Sequence, residues 1–112
     1  MSLKAESYAE FWPLYLAEHS KPATRLLHFL GTGLGLVLLA LALATASWWL
    51  LLPALLSGYG FAWAAHFFVE RNRPATFSYP LWSFISDFRM FFVWLSGGLG
   101  RELERYGITP KR

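Results

Sequence analysis

Apolar positions in this chain gather into three stretches, separated by short polar breaks. The longest runs from Leu26 to Val69 and contains no Asp, Glu, Lys or Arg. A helix crossing a bilayer needs about 20 predominantly apolar residues, so this run holds two. The pattern predicts a first span over about 24–45 and a second over about 50–70, joined through Ala46-Ser47-Trp48-Trp49 as a helical hairpin. Pro53 falls in the first turn of the second span, where a missing N–H does no harm. Ser20 is the expected N-cap of the first span, just ahead of Pro22. Gly31 and Gly35 make a small-residue ridge on the first helix, and Gly58, Ala62 and Ala65 are small positions on the second, so the two can approach closely.

The flanking stretches are shorter. Residues 7–19 read as an amphipathic helix with Tyr8, Phe11, Trp12 and Tyr15 on one side and Pro13 as a bend. It is too short and too charged to span, and its expected place is the membrane interface. Residues 80–96 are apolar and aromatic but carry Asp87 and Arg89 in their middle, and a charge at the bilayer centre costs several kcal/mol. If that segment crossed, the basic tail over 97–112 would lie opposite the other basic clusters. It is therefore expected to be interfacial or re-entrant, with both termini cytoplasmic; four membrane helices is the alternative. The predicted fold is a single all-α membrane domain.

Composition supports that solvent. Charged residues are 15% of the chain, against about 25% in a globular average, and hydrophobic residues are 55%. The net charge of +3 does not point to nucleic acid. Lys21, Arg25, Arg71, Arg73 and the basic residues from Arg101 to Arg112 border the apolar segments, as headgroup anchors do, and form no phosphate-tracking stripe. The expected surroundings are membrane lipids. No cysteine is present, which excludes a disulfide framework, a thiolate metal site and a cysteine nucleophile. Lys4, Glu6 and Glu10 precede any apolar run, so the N-terminus does not read as a cleavable signal peptide.

One internal echo stands out. Glu18-His19-Ser20-Lys21-Pro22-Ala23-Thr24 matches Glu70-Arg71-Asn72-Arg73-Pro74-Ala75-Thr76 in its acid, its basic residue and its Pro-Ala-Thr. Either an old duplication or convergence of two interfacial breaks would produce it.

The chain's three histidines are His19, His28 and His66. In a hairpin turning at Ser47, His28 and His66 each lie nineteen residues from the turn and so share a depth, near the cytoplasmic face. Glu70 follows His66 by four residues on the same helical face. His19 can fold back to that level from just before the first span, with Tyr15 one turn earlier. Ionisable groups at membrane depth are functional candidates. Imidazole and carboxylate ligands suit Fe(II), Zn(II) or Mn(II), and a two-histidine, one-carboxylate face leaves room for substrate and O₂ on Fe(II). The alternative is structural: His28 and His66 bonding across the hairpin, with Glu70 paired to Arg73. Heme held by His28 and His66 needs a porphyrin-sized gap, against which Gly31 and Gly35 argue. Asp87, on one face with Ser83 and Met90, is placed to support a metal-bound histidine. Arg73 or Arg89 is a candidate partner for an anionic headgroup or a substrate carboxylate.

Tyr15-x-x-x-His19, His28-x-x-Gly31 and Trp63-x-x-His66-x-x-x-Glu70-x-x-x-Pro74-Ala75 together resemble a membrane family whose eukaryotic members are Fe(II)-dependent dioxygenases of phytosphingosine breakdown. Those members carry out α-oxidation of 2-hydroxy fatty acids, shortening the chain by one carbon. The resemblance spans Tyr8 to about Phe92. It implies Fe(II) as cofactor, with His19, His28 and His66 as essential histidines and Glu70 as their acidic companion. A 2-hydroxy fatty acid and O₂ are the implied reactants, and Tyr15, Arg73, Asp87 and Arg89 the candidates for substrate contact. After Pro74-Ala75 the sequence departs from the eukaryotic pattern and resembles a short bacterial-type branch, which implies a bacterial inner membrane. A non-catalytic lipid-binding or scaffolding hairpin with structural histidines is the competing reading. Two spans bury little surface alone, so a homo-oligomer is compatible with either.

Overall fold

A computed structural model describes residues 5–108. The long apolar run folds as two antiparallel helices. α2 covers Pro22–Thr45, with Pro22 in its first turn, where the fixed φ of proline suits helix entry. Ser20 does not cap it. Lys21 occupies the cap without a side-chain bond, and the Ser20 hydroxyl donates instead to Glu70 Oε1 at 2.7 Å. α2 stops at Ala46, whose φ of 51° reverses the chain in the left-handed region. A single tight turn over Trp48–Leu50 leads into α3, Leu51–Ala64.

α3 does not continue as an ordinary helix to residue 70. Ala65–Glu70 winds as a π-helix, ending at Arg71 with φ 60° and Asn72 N–H donating to the His66 carbonyl at 2.9 Å. Such widened turns are rare and gather at functional sites.

The close approach of α2 and α3 depends on Gly31 and Gly35. A Cβ on Gly31 would lie 2.7 Å from both Phe61 Cβ and the Ser57 carbonyl oxygen, and one on Gly35 would lie 3.0 Å from the Ala54 carbonyl oxygen. Ser57 Oγ donates to the Gly31 carbonyl at 3.0 Å, tying the helices where they touch. Two segments, Pro22–Thr45 and Trp48–Glu70, are long and apolar enough to cross a membrane. Leu26, Leu30, Val37, Leu43, Leu52 and Leu56 all face outward from them.

The flanking stretches depart from the expected layout. α1, Tyr8–Ala17, turns its aromatic side into protein: Phe11, Trp12, Tyr15 and Leu16 are at most 1% exposed. They pack against α4, Pro80–Leu95, so the aromatic side of α1 belongs to the protein core. Their polar ends are satisfied inside, Tyr8 Oη with Ser86 Oγ at 2.9 Å and Trp12 Nε1 donating to Glu102 Oε1 at 2.8 Å. Buried Tyr and Trp need such partners. Glu102 belongs to α5, Leu99–Arg105, a helix within the segment expected to be a basic tail. Leu99 and Leu103 join the core, which is why the tail is held. Gly97, at φ 83°, makes the turn between α4 and α5. Residues 109–112 of that tail lie outside the described residues.

Candidate metal centre

Three different structural contexts deliver the three histidines to one point. His19 lies just past the end of α1, His28 in the second turn of α2, and His66 in the π-helix. His28 Nε2 stands 3.1 Å from His19 Nε2 and 3.2 Å from His66 Nε2. All three rings are buried, and a ligand nitrogen from each lies within 4.8 Å of the others. The equal spacing of His28 and His66 from Ser47 thus does bring them level.

For His19 and His66 the outer nitrogens decide the protonation. His19 Nδ1 is 2.6 Å from the Tyr15 carbonyl oxygen, which can only accept, so Nδ1 carries the proton. Asn72 donates its amide NH₂ to the Glu18 carbonyl and carboxylate at 3.0 and 2.8 Å. Its Oδ1 therefore faces His66 Nδ1, at 2.6 Å, and accepts from it. His28 Nδ1 faces Asp87 Oδ1 at 3.7 Å, and that oxygen already accepts from the Tyr15 hydroxyl at 2.5 Å. In a neutral imidazole with the proton on Nδ1, Nε2 presents a lone pair. The His19 and His66 lone pairs therefore both face His28 Nε2 inside one buried space. Three ring nitrogens so gathered can hold a metal ion.

The donor set fits a divalent ion. Two nitrogens on one metal, each about 2.0–2.1 Å from it, stand about 3 Å apart, and the observed spacings are 3.1 and 3.2 Å. Imidazole suits Fe, Zn, Cu or Ni. Burial, with His28 and His66 close by, holds His19 well below the usual histidine range, so it stays neutral as a ligand must. Burial raises the Asp87 carboxyl to about 7, against the Tyr15 hydrogen bond that pulls it down. The Tyr15 hydroxyl is itself pushed well up, by burial first and then by Asp87.

Glu70, four residues beyond His66, is directed elsewhere. Its carboxylate accepts from Ser20 Oγ at 2.7 Å, the Lys21 N–H at 3.1 Å and Thr24 Oγ1 at 2.5 Å. It clamps the α1–α2 connection. Arg25 grips that connection from the other side, donating to the carbonyls of His19 and Ser20 at 2.8 and 3.1 Å. Tyr15 and Asp87 lie against the triad. Arg73 is over the Phe77 ring, and Arg89 over the Trp12 ring and 3.8 Å from Glu102, so neither is brought to the histidines. The pairing of Glu70 with Arg73 is not formed.

The sequence echo has a spatial counterpart. Ser20, third in the first copy, bonds Glu70, first in the second; Asn72, third in the second, bonds Glu18, first in the first. The two breaks brace one another reciprocally, and the histidines sit between them. Asn72 escapes a reading by titratable residue type, although its place in the echo marks it.

Comparison with known proteins gives one family: a model described as 2-hydroxy-palmitic acid dioxygenase Mpo1-like matches residues 5–99. No match to the chain was found among the curated proteins or the solved structures compared.

Proposed function

The chain belongs to the Mpo1-like family, and from that premise we propose that it is a membrane-embedded, Fe(II)-dependent dioxygenase carrying out α-oxidation of 2-hydroxy fatty acids. The observation that carries this reading is the buried cluster of three Nε2 atoms, with His19 and His66 each held by an acceptor on Nδ1. His19, His28 and His66 would hold the iron. Bound there, Fe(II) supplies a redox-active Lewis acid able to bring an organic acid and O₂ together.

The chain's own residues set the conditions. The Tyr15 carbonyl and Asn72 keep two imidazoles oriented, and the Tyr15–Asp87 pair holds a proton beside the third. Glu70 fixes the loop carrying His19 and is a brace in this account. The electron count closes without an outside reductant: cleavage of C1–C2 gives the shortened acid, CO₂ and water, with four electrons leaving the substrate and O₂ accepting four. The exposed apolar faces of both candidate spans support a site reached from lipid, into which a fatty acid already partitions. Termini and site are placed on the cytoplasmic side, where the basic residues flanking the spans gather.

A scaffolding hairpin would use its histidines as mutual hydrogen-bond partners. The tautomers of His19 and His66 work against a bond between those two, since both of their protons are engaged outside the triad. The test is anaerobic loading with Fe(II), then addition of 2-hydroxypalmitate and ¹⁸O₂. The expected product is the acid one carbon shorter, carrying label. Recovery of unchanged substrate from iron-loaded protein would overturn the proposal.

A further inference from the structure

Beside the triad, α2, α3 and α4 leave a cavity of about 350 Å³ between them, within the about 300–1,000 Å³ typical of small-molecule sites. Gly31, Tyr59 and Asp87 form one end. Gly31 is one turn from His28, and Asp87 faces His28 Nδ1 at 3.7 Å, so this end abuts the metal centre. From there the cavity follows α2 from Gly31 to Leu39, about 12 Å at 1.5 Å per residue. It follows α3 in the opposite chain direction, from Tyr59 back to Leu51, toward the hairpin turn. Leu39, Leu51, Leu55 and Phe84 line it and are 38–52% exposed. The groove therefore opens sideways on the surface that the spans offer to lipid.

Its shape selects one kind of occupant. A slot with largely apolar walls, whose one acid, Asp87, stands 3.7 Å from His28 Nδ1, suits an unbranched alkyl chain whose polar head is toward the triad. We infer that this groove holds the tail of the substrate, and that Gly58 keeps its middle open and so sets the chain length accepted. This rests on the dioxygenase reading. Gly58 lies along the groove across from Gly35, and a Cβ placed on it meets no heavy atom within 4 Å. Gly31 and Gly35 bring helices together, whereas Gly58 leaves room.

The test uses the full chain in phosphatidylcholine vesicles, with direct binding of radiolabelled 2-hydroxypalmitate and 2-hydroxyoctanoate measured beside metal content. Gly58→Leu should weaken binding of the long acid relative to the short one by at least about tenfold, the loss expected when about two methylene groups leave an apolar site. Metal content should stay unchanged. Leu39→Trp, at the far end, should give a smaller shift in the same direction, and it stands in if Gly58→Leu fails to fold. A 2-hydroxypalmitate with a diazirine at its tail should crosslink near Leu39 or Leu51. Equal affinities for both acids in both variants, or crosslinking to phospholipid only, would overturn the inference. Chain-length-selective binding without turnover would uphold the groove and sink the dioxygenase reading instead.

Discussion

Two imidazoles of the triad have their outer nitrogen fixed by hydrogen bonds, a helix-end carbonyl for His19 and an amide for His66, and His28 Nδ1 faces the Asp87 carboxyl at 3.7 Å. Such outer partners typically change metal affinity 10–100-fold when removed, so Asn72→Ala should weaken iron binding by about that much while the fold survives. Equilibrium dialysis against a competing chelator measures it. Glu70→Gln separates brace from ligand. With Glu70 bonded to Ser20, Lys21 and Thr24, the variant should retain one iron per chain yet lose about 1–3 kcal/mol of stability, read by denaturant unfolding in detergent. Loss of iron at unchanged stability would make Glu70 a ligand. The histidines were legible in the sequence: their rarity marks all three, and the equal distance of His28 and His66 from Ser47 needs only helix geometry. The bonds of Glu70 were not: four-residue spacing on an α-helix would put it beside His66, whereas in the π-helix its carboxylate accepts from Ser20, Lys21 and Thr24. Asn72 stayed hidden because amides lack the charge that marks a site.

At the scale of elements, the hairpin was predictable because an uncharged run this long has few other folds. Gly31 identified the contact between its arms, and Gly31→Val should force them apart at a cost of about 1–3 kcal/mol. A thermal melt in detergent would show this as a lower transition temperature, with Gly58→Ala unaffected as the control, since its Cβ meets open space. α1 and α5 were harder to place. Their aromatic and leucine positions fit lipid as well as protein, and only the partners of Trp12 and Tyr8 on α5 and α4 decide between them. Those partners lie more than seventy residues away in sequence, beyond the reach of local periodicity.

The whole molecule offers an apolar exterior on its two long helices and a buried, nitrogen-lined interior at one end of them. Exposed apolar faces of that extent are rare on soluble monomers, so the protein should remain in the membrane pellet after alkaline carbonate extraction; recovery in the supernatant would count against spanning helices. The function proposed for the triad requires iron to occupy it. X-ray absorption on iron-loaded protein in lipid nanodiscs tests that most directly. The prediction is about one iron per chain with scattering from three imidazoles, reduced together with occupancy in His28→Ala. Iron bound without imidazole scattering, or at full occupancy in His28→Ala, would contradict it.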